Sequence, residues 1–294
     1  MYRRLLLTLG AAITLLATAT GAAAAPSLSV EVYNPAGKSM FPVSSEIVSG
    51  PSEVVLIDAQ FQRNDAQALV DRIKATGRKL TTVYISHSDP DYYFGLDLIQ
   101  AAFPDAKIVA TAPTVAAIKA TMDGKLAYWG PVLKENAPKQ LVLPQVLKGE
   151  SLAVDGQVLQ VKGLHGASPE RSVVWIPSLK MVVGGVVVSS GSHVWIADTQ
   201  TPASRRNWLA ALKDIEALKP RRVVPGHFAG EEPKGLDAVK FTAGYLKVFE
   251  AEAAKARNSA ELVDAMKKAY PQFTDLGGLE LSAKVIKGEM KWPQ

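Results

Sequence analysis

The chain has no cysteine and only four histidines among its 294 residues. The absence of cysteine excludes disulfide frameworks, thiolate nucleophiles, iron–sulfur clusters and every cysteine-ligated zinc site. Any metal bound by this protein would therefore have nitrogen and oxygen ligands. Because histidine is so scarce, a metal site would need nearly all four residues, and their positions become informative.

The chain also has little net charge, since it contains 33 Lys and Arg against 28 Asp and Glu. The chain is 48% hydrophobic and 21% charged, an ordinary globular composition that can bury a sizeable core. No cluster of Lys and Arg is dense enough to predict a nucleic-acid groove. We therefore expect a small-molecule substrate as the partner, and no nucleic acid.

The first residues have the pattern of a secretory signal peptide. Two arginines near the start precede a mainly apolar run, and small residues follow up to Pro26, as in exported proteins. The apolar run is too short for a membrane span. We expect cleavage after Ala24, with residues 1–24 as the signal peptide and 25–294 as a single domain of net charge +3. A periplasmic or secreted protein is therefore expected, without a membrane span in its mature form.

Short apolar runs alternate with helical patterns along the mature chain, which predicts a layered α/β fold. The predicted strands are Leu28–Tyr33, Phe41–Ile47, Val54–Ile57, Thr81–Ser86, Lys107–Ala110, Gln157–Val161, Ser172–Ile176, Met181–Val188 and Arg222–Val224. The predicted helices are Asn64–Thr76, Leu96–Ala102, Ser204–Leu218 and most of the C-terminal part, with a looser stretch over residues 123–138.

Polar residues follow two of the predicted strands at the point where each strand ends. His87, Asp89 and Asp91 alternate in the loop after one strand, and His227 follows Pro-Gly after another. Such side chains meet at one edge of a layered α/β protein, where imidazole and carboxylate can bind zinc, iron or manganese. The alternative is structural: Asp89-Pro90 begins a turn, and Asp91 caps the next helix.

Several segments, taken together, resemble the metallo-β-lactamase superfamily in order and approximate spacing. They are Val55–Asp58, Tyr84–Gly95, Val174–Pro177, Gly184-Gly185 and Val224–His227. The resemblance implies a four-layer αββα sandwich of the metallo-β-lactamase type. It also implies a site for one or two metal ions at a sheet edge and, as in most members, a hydrolase activity.

The family pattern His-x-His-x-Asp-His is only partly present in this chain. His87 and Asp91 match it, whereas Asp89 stands for the second His and Tyr92 for the third. The resemblance implies His87, Asp89, Asp91 and His227 as metal ligands, and the flavodiiron branch looks similar in having an acid at the second position. Tyr92 is more plausible as an aromatic wall that contacts substrate, because a phenol with a pKa near 10 must lose its proton to bind a metal.

This chain also differs from the family pattern at two further positions, which reduces the number of expected metal ligands. In the loop Gly163–Pro169, matching by histidine selects His165 as a ligand, whereas matching by proline selects Ala167; we favour His165 slightly. The family's bridging Asp corresponds to Gly185, which has no side chain to bridge two cations. We therefore expect one divalent ion, zinc first, with iron or manganese as alternatives.

Three other residues are candidates for the site, and each has a structural alternative. His193 follows a buried strand and could contact substrate or replace a missing ligand, although a hydrogen-bonded structural role is more common. Trp129 could line an apolar pocket, although aromatic residues more often fill cores. Asp58 resembles the family's acid that orients the ligands, and otherwise it is a turn carboxylate.

Two functions remain open from the sequence. The first is an exported metallo-hydrolase that uses a metal-activated water on a small ester, lactone or amide, with Asp91 as the base that orients the water. The second is a protein that keeps this fold as a ligand-binding or scaffold protein without catalysis or metal.

Overall fold

The computed structural model describes residues 27–166 and 168–292. The predicted signal peptide, residues 1–24, and Ala167 lie outside this part of the chain. The strands are β1 (Ser29–Tyr33), β2 (Ser45–Ser49), β3 (Glu53–Ile57), β4 (Lys79–Ile85), β5 (Lys107–Ala110), β6 (Gln145–Val146), β7 (Ser151–Val154), β8 (Gln157–Lys162), β9 (Val173–Ile176), β10 (Met181–Val183), β11 (Ser189–Ser190), β12 (Arg222–Val223) and β13 (His227–Phe228). The α-helices are α1 (Arg63–Ala75), α2 (Pro90–Tyr93), α3 (Leu96–Ala102), α4 (Ala112–Leu133), α5 (Pro202–Ala217), α6 (Asp237–Lys255), α7 (Ser259–Ala269) and α8 (Gly277–Ile286).

The strands form two larger sheets and one small one. The first sheet has the order β1-β2-β3-β4-β5-β6 and the second has the order β12-β10-β9-β8-β7. In the first sheet β1, β2 and β3 pair antiparallel, whereas β3 to β6 pair parallel. Strands β11 and β13 form a separate parallel pair. The parallel strands of the first sheet all end at the same edge.

Alternate side chains of β3 point to opposite faces of the first sheet, and this explains how the two sheets pack. Val55 and Ile57 lie in the core between the sheets, whereas Val54 and Leu56 lie in a second core that contains α1, α3 and part of α4. This is the period-two burial of a strand that is covered on both faces. A third core joins the outer face of the second sheet to α5, α6, α7 and α8. The layers therefore follow the order helices, sheet, sheet, helices.

The prediction of a looser stretch over residues 123–138 is wrong. Helix α4 runs to Leu133, with Thr111 as its N-cap. Apolar residues on this helix recur at spacings of three and four, which is the helical period; they are Val115, Ile118, Met122, Leu126 and Trp129. These residues pack in or against the core beneath the first sheet.

Two predicted strands also have different bounds. The strand predicted over Met181–Val188 ends at Val183, because Gly184 and Gly185 have φ values of +72° and +83° and leave the extended conformation. The strand predicted over Phe41–Ile47 begins only at Ser45. Before it, Val43 forms an isolated antiparallel bridge with His227, which connects the segment preceding β2 to the small β11–β13 sheet. Within the described residues, no helix is long and apolar enough to cross a membrane.

Candidate functional site

The site is built where β4 ends and where β13 begins. Ser86 and His87 follow β4 directly, and α2 then starts at Pro90 with Asp89 as its N-cap. His227 opens β13 and pairs with Ser189 of β11. Two short loops on neighbouring elements therefore bring their polar side chains to one edge of the sandwich.

Four of the predicted ligands form two His–Asp pairs. In the first pair, Nε2 of His87 lies 3.2 Å from Oδ2 of Asp89. In the second pair, Nε2 of His227 lies 2.9 Å from Oδ2 of Asp91. The ring of Tyr92 contacts both histidine rings edge-on, with centroid distances of 5.6 and 5.7 Å. The two pairs thus share one aromatic neighbour.

Tyr92 is fully buried, and its hydroxyl has no hydrogen-bond partner among the described residues. Burial and the charge of Asp91 hold the pKa of Tyr92 well above its usual value. The phenol is therefore neutral, and a neutral phenol is a weak metal ligand. This agrees with an aromatic wall rather than a third donor at this position.

Asp58 fixes the backbone that precedes His87. Its carboxylate accepts hydrogen bonds from the backbone N–H of Ser86, at 2.8 Å, and from the Ser86 hydroxyl, at 2.6 Å. The Ser86 hydroxyl oxygen in turn accepts a hydrogen bond from the backbone N–H of Gly185 at 2.8 Å. Burial raises the pKa of Asp58 to about 7, although the bonds from Ser86 oppose the shift. On its other side, Nδ1 of His87 lies 3.4 Å from the carbonyl oxygen of Glu170.

The backbone around Ser172 lies so close to Gly185 that no space is left for a side chain at this position. A Cβ atom added there would lie 2.2 Å from the carbonyl oxygen of Ser172, and the φ of Gly185 is +83°. A side chain at this position would therefore meet both a backbone clash and a strained conformation. The position of the family's bridging Asp has no room for a carboxylate in this structure.

The first pair has positively charged neighbours that sequence reasoning missed. Lys125 of α4 donates a hydrogen bond to the carbonyl oxygen of Ser88 at 2.8 Å, and its Nζ lies 3.3 Å from Oδ1 of Asp89. Partial burial acts to raise the pKa of Asp89, but His87, Lys125 and Arg171 outweigh it and hold that pKa below its usual range. Asp89 is therefore ionised and already has counter-charges. The helical spacing of the apolar residues in α4 could have indicated from the sequence that Lys125 lies on a helix.

His165 does not join the other predicted ligands. Its side chain is 83% exposed, and Nε2 lies 2.5 Å from Oε1 of Glu150 on the surface. His165 therefore lies apart from the two His–Asp pairs. The alternative register, which selects Ala167, concerns a residue outside the described part of the chain.

His193 and Trp129 have mainly structural contacts. Nδ1 of His193 lies 2.9 Å from the hydroxyl of Tyr245, and burial lowers the pKa of this histidine. Trp129 packs edge-on against Phe41 and Phe61, with centroid distances of 5.5 and 5.4 Å. These environments match the structural alternatives for both residues.

The rim beside the first pair includes the C-terminal end of the described chain. Asp198 accepts hydrogen bonds from the indole N–H groups of Trp195 and Trp292, and the two indoles contact each other at 5.5 Å. Desolvation and the charge of Asp89 act to raise the pKa of Asp198, although the residue as a whole is exposed; the rim is therefore within electrostatic range of the first pair. Neither Asp198 nor Trp292 belongs to a motif in the sequence.

The donor atoms of the two pairs have the chemistry and spacing that a divalent ion accepts, but each pair has few of them. Zinc bonds of about 2.0–2.2 Å place adjacent ligand atoms roughly 3 to 3.5 Å apart, close to the separations within the two pairs. Catalytic zinc generally has three protein ligands, and each pair alone supplies two. Across residues 27–166 and 168–292, no group of three or more His, Asp or Glu side chains is arranged as a metal site. Neither pair alone therefore supplies the three protein ligands of a catalytic zinc ion.

Comparison with known proteins gives one family and a set of similar folds. Residues 40–227 match the sequence model of the metallo-beta-lactamase superfamily. A metallo-beta-lactamase from Pontibacter korlensis is 21% identical with a TM-score of 0.52, over 75% of this chain and 93% of that one. The structure of TMB-1 is 26% identical with a TM-score of 0.48, over 75% of this chain and 92% of its own. No curated protein matches the chain. The four-layer arrangement is thus shared with the Pontibacter structure.

Proposed function

Because the chain belongs to the metallo-beta-lactamase superfamily, we propose that it is a metal-dependent hydrolase with a single divalent ion at the two His–Asp pairs. The observation that carries this proposal is the pairing itself. His87 with Asp89 and His227 with Asp91 bring two imidazoles and two carboxylates to one sheet edge. These are the nitrogen and oxygen donors that zinc, iron and manganese accept.

The residues of the pairs have distinct tasks in this proposal. A divalent ion held by His87, Asp89, Asp91 and His227 would supply Lewis acidity and would lower the pKa of a bound water toward about 7. Asp91 is placed to orient the attacking water and to accept its proton, since its carboxylate lies beside His227 and is largely buried. Asp58 acts through Ser86, which it holds directly before His87. The fold therefore positions the first histidine through its backbone.

The proposed substrate is a small ester, lactone or amide, and the proposed site of action is the periplasm or the outside of the cell. Support for export comes from the signal-peptide pattern of residues 1–24. Support for a small substrate comes from the indoles of Trp195 and Trp292, which are half-buried, contact each other and offer an apolar surface around Asp198.

Metal analysis of the protein, purified without chelator, tests the proposal. After supply of Zn²⁺, Fe²⁺ or Mn²⁺ under non-oxidising conditions, we expect about one equivalent per chain. The double variant His87→Ala/His227→Ala should lose this ion and any hydrolysis of an ester, lactone and amide panel. His165→Ala changes a histidine on the surface and should keep both. Wild-type protein that holds no metal after all three supplements would contradict the proposal.

A second candidate is a metal-free ligand-binding protein of the same fold. It is favoured by one observation: Nε2 of each site histidine already lies within hydrogen-bonding distance of an aspartate. In that case the melting temperature should not change with added metal, whereas an ion that binds the native state should raise it. The same metal titration therefore separates the two candidates.

A further inference from the structure

The indole rings of Trp195 and Trp292 form an aromatic corner on the rim of the site. Their centroids lie 5.5 Å apart, their planes are inclined by 73°, and both residues are half-buried. Both indole N–H groups donate to the carboxylate of Asp198, and the bond from Trp292 measures 2.7 Å. Because the N–H edges already have this acceptor, the apolar ring faces are what the corner offers to a ligand.

Contacts on both chain segments hold the aromatic corner in place. In the rim loop, which covers residues 195–200, the guanidinium of Arg205 donates to the carbonyl oxygens of Thr199 and Gln200 at 2.9 and 3.0 Å. The side-chain amide of Gln200 in turn donates to the carbonyl oxygen of Trp292 at 2.8 Å. Rings that are ordered before binding lose little conformational freedom when a ligand stacks on them. The corner is therefore preorganised.

One segment, Glu170-Arg171, contacts both the rim loop and the first His–Asp pair. Nη2 of Arg171 donates to the hydroxyl oxygen of Thr199 at 3.3 Å. The carbonyl oxygen of Glu170 lies 3.4 Å from Nδ1 of His87. A short chain of contacts thus connects the rim loop, which carries one wall of the aromatic corner, to the histidine of the first pair.

We propose that the aromatic corner binds a planar aromatic group of the ligand, while the ester, lactone or amide part of the same molecule is directed towards His87. The chemistry assigned to that part rests on the proposed function, but binding at the corner does not require a metal ion. The inference narrows the proposed substrates to those that carry an aromatic group, and it makes Trp195 and Trp292 residues that determine specificity.

Ring geometry supports an aromatic ligand over an aliphatic one. Aromatic rings prefer offset-stacked or edge-to-face contacts. Two indoles inclined by 73° allow a planar ring to stack on one of them and to meet the other edge-on. A puckered aliphatic ring of similar size gains only the apolar contact.

Nuclear magnetic resonance of ¹⁵N-labelled indoles tests the inference, because the chain has only five tryptophans. The probes are N-(2-naphthyl)acetamide and its saturated counterpart, N-(decahydro-2-naphthyl)acetamide, added to the protein in the presence of a chelator. The naphthyl probe should shift the indole signals of Trp195 and Trp292 with one dissociation constant. The signal of Trp208, which is buried and donates to the carbonyl oxygen of Val187, should not move. The saturated probe should bind about tenfold more weakly.

Two variants and a matched control sharpen the titration. Trp292→Ala should weaken binding of the naphthyl probe about tenfold. Asp198→Ala removes the acceptor of both indoles and should also weaken it. Tyr128→Ala truncates an exposed aromatic side chain of α4 and should leave the affinity unchanged. Circular dichroism identifies which variants are folded, and Asp198→Ala decides the outcome if Trp292→Ala is not.

A histidine signal tests the direction of the ligand. In protein with ¹⁵N-labelled histidine, the naphthyl probe should shift the ring signals of His87 together with the two indole signals, whereas those of the exposed His165 should stay in place. Unmoved indole signals, equal affinity for the two probes, unchanged affinity in the folded variants, or indole shifts without a shift of His87 would each overturn the inference. Since the titration contains no free metal, these outcomes leave the proposed function in place, and a protein without metal leaves the corner in place.

Discussion

The two His–Asp pairs contain the same residue types in different surroundings. At the first pair, Lys125 and Arg171 bring fixed positive charges to Asp89, and the histidine follows a backbone held by Asp58. At the second pair, Asp91 lies in the first turn of α2 and His227 at the start of β13. The difference teaches that residue type alone does not define a metal site. Fixed positive charges beside a carboxylate also make the addition of a dication to it less favourable.

Gly185→Asp tests whether a carboxylate at this position can connect the two His–Asp pairs. We expect this change to lower the free energy of unfolding by about 4 kcal/mol or more, because the new side chain meets the Ser172 carbonyl at a positive φ. Urea denaturation at pH 7 measures the loss. Gly124→Asp is the matched control, since a Cβ built at Gly124 has nothing within 4 Å. A stable Gly185→Asp protein with a second bound ion would remove the structural reason for the difference between the pairs.

Single histidine variants compare the pairs directly. His227→Ala should weaken zinc binding about 100-fold, which corresponds to about 2.7 kcal/mol, because it removes one of the two imidazole donors of the proposed site. His87→Ala should weaken it less than about tenfold, since the first pair already has its counter-charge. Competition with a chromophoric chelator gives both affinities. Equal losses in the two variants would show that the positive charges beside Asp89 do not distinguish the two pairs.

Asp58→Asn tests the buried support of the first pair through pH. The pKa of Asp58 is about 7 in the fold against a usual value of 3.8, so the folded state holds this proton more tightly than the unfolded state. Its contribution to stability is complete below about pH 4 and is lost as the pH rises through about 7. We expect a slope of up to about 1.4 kcal/mol per pH unit from this residue.

Urea unfolding between pH 4 and 8 should therefore be less steep with pH in Asp58→Asn than in the wild type. Zinc affinity should change less than in His87→Ala, because Asp58 acts on His87 only through Ser86. An unchanged pH slope would show that Asp58 does not hold its proton in the fold. A large loss of zinc affinity would show that the two pairs depend on one support.

The family and the general fold could be predicted because the informative residues are local to strand ends. His87 follows β4 after one residue, and the Pro-Gly turn before His227 follows β12 closely. The superfamily assignment from these motifs is confirmed. Strand ends were less predictable: an apolar run continues past Val183, but two positive φ values end β10 there.

The charge around Asp89 could not be predicted from local sequence. Lys125 is 36 residues away, and its contact depends on how α4 packs on the first sheet. The helix itself was predictable from the spacing of its apolar residues, whereas the direction of one lysine was not. In the same way, the sequence indicates that Gly185 has no carboxylate, but only the fold shows that the carbonyl of Ser172 has filled the space.

The close approach at Gly185 also bears on how sequences of this kind can change. A single codon change to aspartate would place a side chain against the start of β9, so it needs a compensating shift around Ser172 at the same time. Contacting positions of this kind change together rather than one by one. A carboxylate at position 185 therefore requires a concerted change around Ser172 rather than a single substitution.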